Sequence, residues 1–223
     1  MAQDDRSRTP AGSAVRRGRF ITFEGGEGAG KSTQVARLAA YLEARGVAVL
    51  QTREPGGTPG AEAIRELLVT GAANRWDPLT ETLLFTAARR DHMERTILPA
   101  LAAGRIVISD RFADSTRMYQ GLSRGDRRAL VDQLHELMIG REPDLTFLID
   151  IDAKTGLARA KGRNGHEERF EDMGLDLQRA MRGGFLALAG EFSPRFRVVD
   201  GARAPDAVAT EVLALARAAL GPR

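Results

Sequence analysis

Eight consecutive residues, Gly25-Gly26-Glu27-Gly28-Ala29-Gly30-Lys31-Ser32, have the composition and spacing of a phosphate cradle. Gly25, Gly30, Lys31 and Ser32 fall at the positions that a P-loop requires. Glycines let the backbone turn tightly, so that successive N–H groups can point at phosphate oxygens. A helix beginning at the loop would add unpaired donors and a partial positive charge. Lys31 can reach the β- and γ-phosphates of a nucleotide, and the Ser32 hydroxyl can ligate Mg²⁺. A glycine turn that merely joins a strand to a helix is the plain alternative. The flanks favour the cradle: apolar, β-prone Phe20-Ile21-Thr22-Phe23 precedes it, and helical Ser32-Thr33-Gln34-Val35-Ala36-Arg37-Leu38 follows.

The elements that must position this loop follow in alternation. Val35, Leu38, Ala39 and Leu42 recur at helical spacing, and Gly46 closes that helix. Val47-Ala48-Val49-Leu50 is the expected second strand. Thr52 to Thr58 would then be a loop at a carboxyl strand end, where ligands of open α/β sheets bind, although the stretch by itself reads better as a plain Pro-Gly turn. A short helix is expected over Ala61–Val69, carrying Arg65, and a longer one from about Pro78 to Ala103. In the latter Phe85 and Arg89 share a face, which offers either a platform and donor for a planar base or a core residue beside a solvated end.

Arg105-Ile106-Val107-Ile108-Ser109 is the third strand and ends at Asp110-Arg111. An acid at that tip suits Mg²⁺ or its water, and Arg111 could hold a phosphate bidentately. Thr116, Tyr119 and Gln120 lie within about one helical turn and can converge on one ligand. A helix over Asp126–Ile139 leads to a fourth, predominantly apolar strand, Leu145 to Asp150. After a helix over Ala153–Ala160, the charged and poorly periodic stretch of about 159–171 reads as a mobile lid bearing Arg159, Arg163 and Arg169. A helix over Leu175–Ala189, a fifth strand over Arg195–Asp200 and a last helix from Pro205 complete the alternation. The expected fold is therefore α/β, a three-layer doubly wound sheet of five parallel strands with a short lid.

Composition bounds the remaining choices. At 223 residues the chain suits one domain, read as residues 19–223, behind a polar, disordered extension over 1–18. The absence of cysteine excludes disulfides and thiolate metal sites and suits a reducing compartment, so the expected location is the cytoplasm. No apolar run approaches the ~20 residues of a membrane span. A net charge of +3 with few aromatics among the basic residues argues for arginines that grip small phosphorylated ligands, and against nucleic acid. No Ser/His/Asp set and no zinc-ligand spacing is evident.

Four motifs taken together resemble bacterial thymidylate kinases, on the P-loop nucleoside monophosphate kinase fold. They are Phe23 to Thr33, Thr52-Arg53-Glu54-Pro55-Gly56-Gly57-Thr58, Leu84-Phe85-Thr86-Ala87-Ala88-Arg89-Arg90, and Asp110-Arg111 continuing to Tyr119-Gln120-Gly121. The resemblance runs from about Arg19 to the C-terminus and keeps the family's order. It implies ATP-dependent phosphorylation of dTMP to dTDP with Mg²⁺, usually in a homodimer. It further implies that Phe85 stacks on thymine, that Arg89 bonds a base carbonyl, and that Arg65 and Arg111 grip the dTMP phosphate with Glu54 nearby. Thr116 and Gln120 would help to read the base, and Tyr119 would crowd a ribose. Gly25 to Thr33, with Arg159 against adenine, would hold ATP, and Ser32 with Asp110 would hold Mg²⁺ directly or through water. The implied catalytic set is Lys31, Arg111, Glu27 and the lid arginines Arg163 and Arg169. Some family members place an arginine where this chain has Gly28, and those with glycine there supply the cation from the lid. Phe112 stands where many relatives have Tyr or His. The nearest rivals are another monophosphate kinase on the same fold and a nucleotide-dependent switch. The latter usually carries an Asn-Lys-x-Asp motif, which this chain lacks.

Overall fold

In a computed structural model, which describes residues 17–72, 75–122, 127–161 and 174–221, five strands form one parallel sheet. The strands are β1 (Arg19–Glu24), β2 (Val49–Arg53), β3 (Ile106–Asp110), β4 (Leu145–Asp150) and β5 (Phe196–Asp200), in the order β2-β3-β1-β4-β5. Side chains alternate across a strand, and the sequence uses both faces. Ile21 and Phe23 of β1, with Ile106 and Ile108 of β3, pack against Val35, Leu38 and Leu42 of α1 (Lys31–Glu43). Val208 and Val212 of α9 (Pro205–Leu220) complete that layer. Phe20 and Val107 face the other way, against Met93, Ile97 and Ala100. Leu148 meets Met181, Phe185 and Leu188 of α8 (Leu175–Glu191). Each such buried side chain contributes about 1.5–3 kcal/mol. Two covered faces explain why the inner strands read as largely apolar runs, their buried Thr22 and Thr146 bonded to each other at 2.9 Å.

Local chemistry sets the helix starts. In α2 (Pro59–Val69) the Thr58 side chain accepts from the Ala61 N–H at 3.0 Å and Pro59 opens the first turn. In α3 (Pro78–His92) Asp77 accepts from Leu79 and Thr80, and Pro78 plays the same part.

Three expectations change. The second strand is Val49–Arg53 rather than residues 47–50, because β2 is an edge strand paired only with β3, and its polar Gln51 and Arg53 point outward. The long helix from Pro78 is not continuous to Ala103. A π-turn at Met93–Ile97 separates α3 from α4 (Leu98–Ala102). Pro99 has no N–H for the Arg95 carbonyl, and the Leu98 N–H reaches back to Met93, one residue further than in an α-helix. Likewise, the stretch after Arg111 is a single α-turn, α5 (Ala113–Thr116), followed by a π-turn at Arg117–Leu122. The remaining helices, α6 (Arg128–Met138) and α7 (Ala153–Lys161), end within two residues of expectation. Residues 1–16 of the expected extension lie outside the described residues, as does the lid beyond Lys161 with Arg163 and Arg169.

Candidate active site

β1 and β3 are neighbours, so the loop after Glu24 and the tip Asp110-Arg111 emerge side by side. Gly25 and Gly28 hold φ of +137° and +70°. A Cβ on Gly28 would lie 2.0 Å from the Gly156 carbonyl oxygen, so glycine is what lets the loop seat against α7. No side chain caps α1, which leaves its first N–H groups facing the loop. Lys31 folds back over that loop, its Nζ donating to the Gly26 carbonyl at 2.9 Å and to Gly25 at 3.2 Å. Burial pulls the Lys31 pKa down and Arg111 adds to this, against the opposing pull of Glu27, Asp110 and Glu24. The Ser32 hydroxyl donates to Asp110 Oδ2.

Arg111 is the centre of the second group. Its backbone is left-handed, at φ 71°, which is rare for a side chain this large. The guanidinium donates through Nη2 to Glu27 Oε1 at 2.5 Å and through Nη1 to Ser115 Oγ at 3.1 Å. Burial works against its charge, but the facing Glu27, Tyr119, Asp110 and Glu24 raise its pKa beyond the ordinary arginine value. Glu27 also accepts from the Tyr119 hydroxyl at 3.1 Å. Burial pushes the Tyr119 phenol up, so it acts as a neutral donor. Behind this group, Glu24 is fully buried and accepts from the Phe112 N–H at 2.8 Å and Ser115 Oγ at 2.6 Å. Burial, with Asp114 nearby, raises Glu24 to about 7.

A cavity of about 280 Å³ joins these residues to Glu54, Arg65, Phe85, Arg89, Thr116 and Gln120, all of which line it. Arg89 is 5% exposed. Its Nε donates to Glu54 Oε2 at 2.7 Å, and its Nη2 to Thr116 Oγ1 at 2.9 Å and the Phe112 carbonyl at 3.1 Å. Phe112 lays its ring 5.1 Å from that guanidinium. Burial alone would raise Glu54, but Arg89 and His92 outweigh it and hold the carboxyl below its usual range. Gln120 donates to Glu81 at 2.9 Å, Arg65 donates to the Pro55 carbonyl at 2.8 Å, and Phe85 is half-buried in the wall. The structure thus gathers the described site residues expected from the sequence around this cavity, except Gly25, Gly26, Ala29 and Thr33 of the cradle, which do not line it, and Arg159. That residue is exposed beside the cradle and donates to the carbonyls of Gly201 and Ala202 at 3.0 and 3.4 Å. Thr33 is exposed on the first turn of α1.

Ser32 and Asp110 supply two hard oxygen donors, and among the described residues no cluster of three or more His, Asp or Glu side chains could hold a metal unaided. That set fits Mg²⁺, which keeps water and borrows phosphate oxygens rather than demanding a full protein cage. Sequence reasoning missed Glu24, Glu81 and His92, buried polar partners inside apolar or helical runs. For His92 and Glu81 a signal was present, their spacing of three residues from Arg89 and four from Phe85 on one helix.

A family model described as thymidylate kinase matches residues 23–212. A thymidylate kinase of Ruegeria pomeroyi is 68% identical over 195 residues, which is 87% of this chain and 92% of that protein. One from Dinoroseobacter shibae is 61% identical over 197 residues, covering 88% and 95%. Among solved structures, the thymidylate kinase of Ehrlichia chaffeensis aligns with a TM-score of 0.72 at 38% identity, over 90% of this chain and 99% of that one.

Proposed function

The chain belongs to the thymidylate kinase family, and from that premise we propose that it transfers the γ-phosphoryl group of ATP to dTMP, yielding dTDP and ADP for dTTP synthesis. One observation carries the reading: a single cavity is continuous from Lys31 and Ser32 of the cradle to Phe85 and Arg89.

ATP lies with its phosphates on Gly25 to Thr33, where loop N–H groups and Lys31 take up their charge. Ser32 and Asp110 would hold Mg²⁺, which would supply positive charge against the phosphates. dTMP enters from the other end. Phe85 offers its ring to thymine, Arg89 donates to a base carbonyl, and Thr116 and Gln120 bound the edge of the base. Tyr119 and Glu27 close against the sugar. Arg111 and Arg65 grip the acceptor phosphate, and Glu54 holds the Arg89 fork in place. An oxygen of that phosphate attacks the γ-phosphorus as the bond to the β,γ-bridging oxygen breaks, and ADP departs with the electron pair. Since little covalent chemistry is asked of the protein, alignment and charge do the work. Gly28 leaves Lys31 as the cradle's one cation, and Arg163 and Arg169 of the lid add to it at the γ-phosphate, with Arg159 against adenine. In this reading residues 19–223 form one catalytic domain.

The working unit is a homodimer. Leu79 and Leu83 of α3 and Leu137 and Met138 of the adjacent α6 are 44, 48, 77 and 46% exposed, which supports an apolar face that a second copy covers. Among the described residues no helix is long and apolar enough to cross a membrane. This reading assigns the enzyme to the cytoplasm, because a chain without cysteine suits a reducing compartment.

A coupled assay of ADP release across dTMP, dUMP, CMP, AMP and shikimate tests the assignment. The fastest turnover is expected with dTMP, and a better rate with any other acceptor overturns it.

A further inference from the structure

His92 lies at the end of α3, wholly buried and absent from the wall of the cavity. Both ring nitrogens are engaged. Nδ1 is 3.0 Å from Glu54 Oε1, and Nε2 is 2.7 Å from Thr52 Oγ1. A carboxylate can only accept, so Nδ1 carries the proton, while the Thr52 hydroxyl engages Nε2, donating to it when the ring is neutral. Glu54 is thus held from two sides, by His92 at Oε1 and by Arg89 at Oε2. Beyond it, Arg89 spends Nη2 on Thr116 and Phe112 and has no hydrogen bond from Nη1 among the described residues.

The backbone is shaped around this ring. Gly57 has φ +90°, and a Cβ there would stand 2.3 Å from His92 Nε2 and 2.7 Å from Thr52 Oγ1. The Gly57 carbonyl also accepts from Thr96 at 3.1 Å, and Thr58 donates to Asp91. The loop between β2 and α2 is therefore clasped onto α3 and its π-turn, with the imidazole sealed beneath it. A sealed, doubly bonded ring has little freedom, and it passes that rigidity to the one carboxylate that orients Arg89.

We infer that His92 is a positioning residue for the acceptor: it fixes Glu54, and through Glu54 the angle at which Arg89 Nη1 is presented to the nucleobase. The inference rests on the reading that Arg89 and Phe85 hold the base. It separates the two substrates, because the relay ends in the acceptor half of the cavity and touches nothing in the cradle.

The test uses His92→Asn, whose amide nitrogen reaches the Nδ1 position, His92→Gln, whose amide reaches Nε2 instead, and His92→Leu. Losing the hydrogen bond to the carboxylate in the Gln and Leu variants is expected to raise the KM for dTMP about tenfold or more, with the KM for ATP within about twofold. His92→Asn is expected to stay within about threefold of the parent for both. Equal dTMP constants in the Asn and Gln variants would overturn the inference, as would parallel changes in both substrates' constants. Should His92→Leu fail to fold, the Asn and Gln pair decides. Arg89→Ala separates the two readings. If it leaves the KM for dTMP unchanged, the base-binding reading fails and the inference falls with it. If it raises that KM while His92→Gln does not, only the role of His92 is lost.

Discussion

Lys31 shows how a charged side chain can be kept buried and available at once. Its Nζ rests on two carbonyls of the loop that it would share with phosphates, so burial is offset without an ion pair to break. Lys31→Ala is expected to lower kcat by about 100-fold or more, the scale of losing one aligned charge donor in a dry site. Single-turnover rates at saturating dTMP measure this, and an unchanged rate would refute it. Glu24 makes a different statement. Its carboxyl is raised from 4.5 to about 7 by burial and by Asp114, so the folded state holds the proton more tightly than the unfolded chain. The stability this supplies is complete below about pH 4.5 and is lost as the pH rises through about 7. Glu24→Gln remains neutral throughout. The parent's stability relative to that variant should therefore fall between about pH 5.5 and about pH 7.5 in denaturant titrations; a constant or growing difference would show that Glu24 is ionised when folded.

At the scale of elements, the cradle depends on contact between a loop and a helix that are far apart in sequence. Gly28 and Gly30 both have positive φ, yet a Cβ on Gly28 meets the Gly156 backbone at 2.0 Å and a Cβ on Gly30 meets nothing within 4 Å. Gly30→Ala should cost about 1 kcal/mol from the left-handed backbone alone. Gly28→Ala should cost more than about 2 kcal/mol, because backbone must move. Unfolding midpoints of the two variants check the order, and equal losses would mean that α7 yields freely. The same contrast explains what could be read beforehand. The glycine spacing, the strand–loop–helix context and the acid at the β3 tip are local patterns, and they held. The placement of β2 is not legible beforehand because an edge strand needs only one apolar face, so its polar Gln51 falls outside the apolar run and Thr52 and Arg53 read as loop. The break in the helix after His92 was written in Pro99, seven residues away. Glu24, Glu81 and His92 stayed hidden because a buried polar residue is explained only by its partner, and those partners come from other elements.

For the whole molecule, strand order does the assembling. Placing β1 between β3 and β4 lets one crossover deliver the Asp110-Arg111 tip beside the cradle, while the helices between β2 and β3 bring Arg65, Phe85 and Arg89 to the same cavity. Those helices then turn leucines outward on the far side. Leu83→Glu is expected to shift the protein from dimer to monomer in sedimentation at micromolar concentration, with little change in unfolding midpoint. A parent that sediments as a monomer would sink the homodimer.

The left-handed backbone of Arg111 bears on how its side chain should be removed. Alanine would discard the guanidinium and keep the torsional penalty, whereas glycine discards both. The two variants lose the same contacts to Glu27 and Ser115, so the difference in their stabilities isolates the torsion, with glycine ahead by about 1 kcal/mol. Equal stabilities would mean that the turn relaxes once the arginine is gone. Activity lost in Arg111→Gly can then be attributed to the missing cation, free of the folding defect that alanine would bring with it.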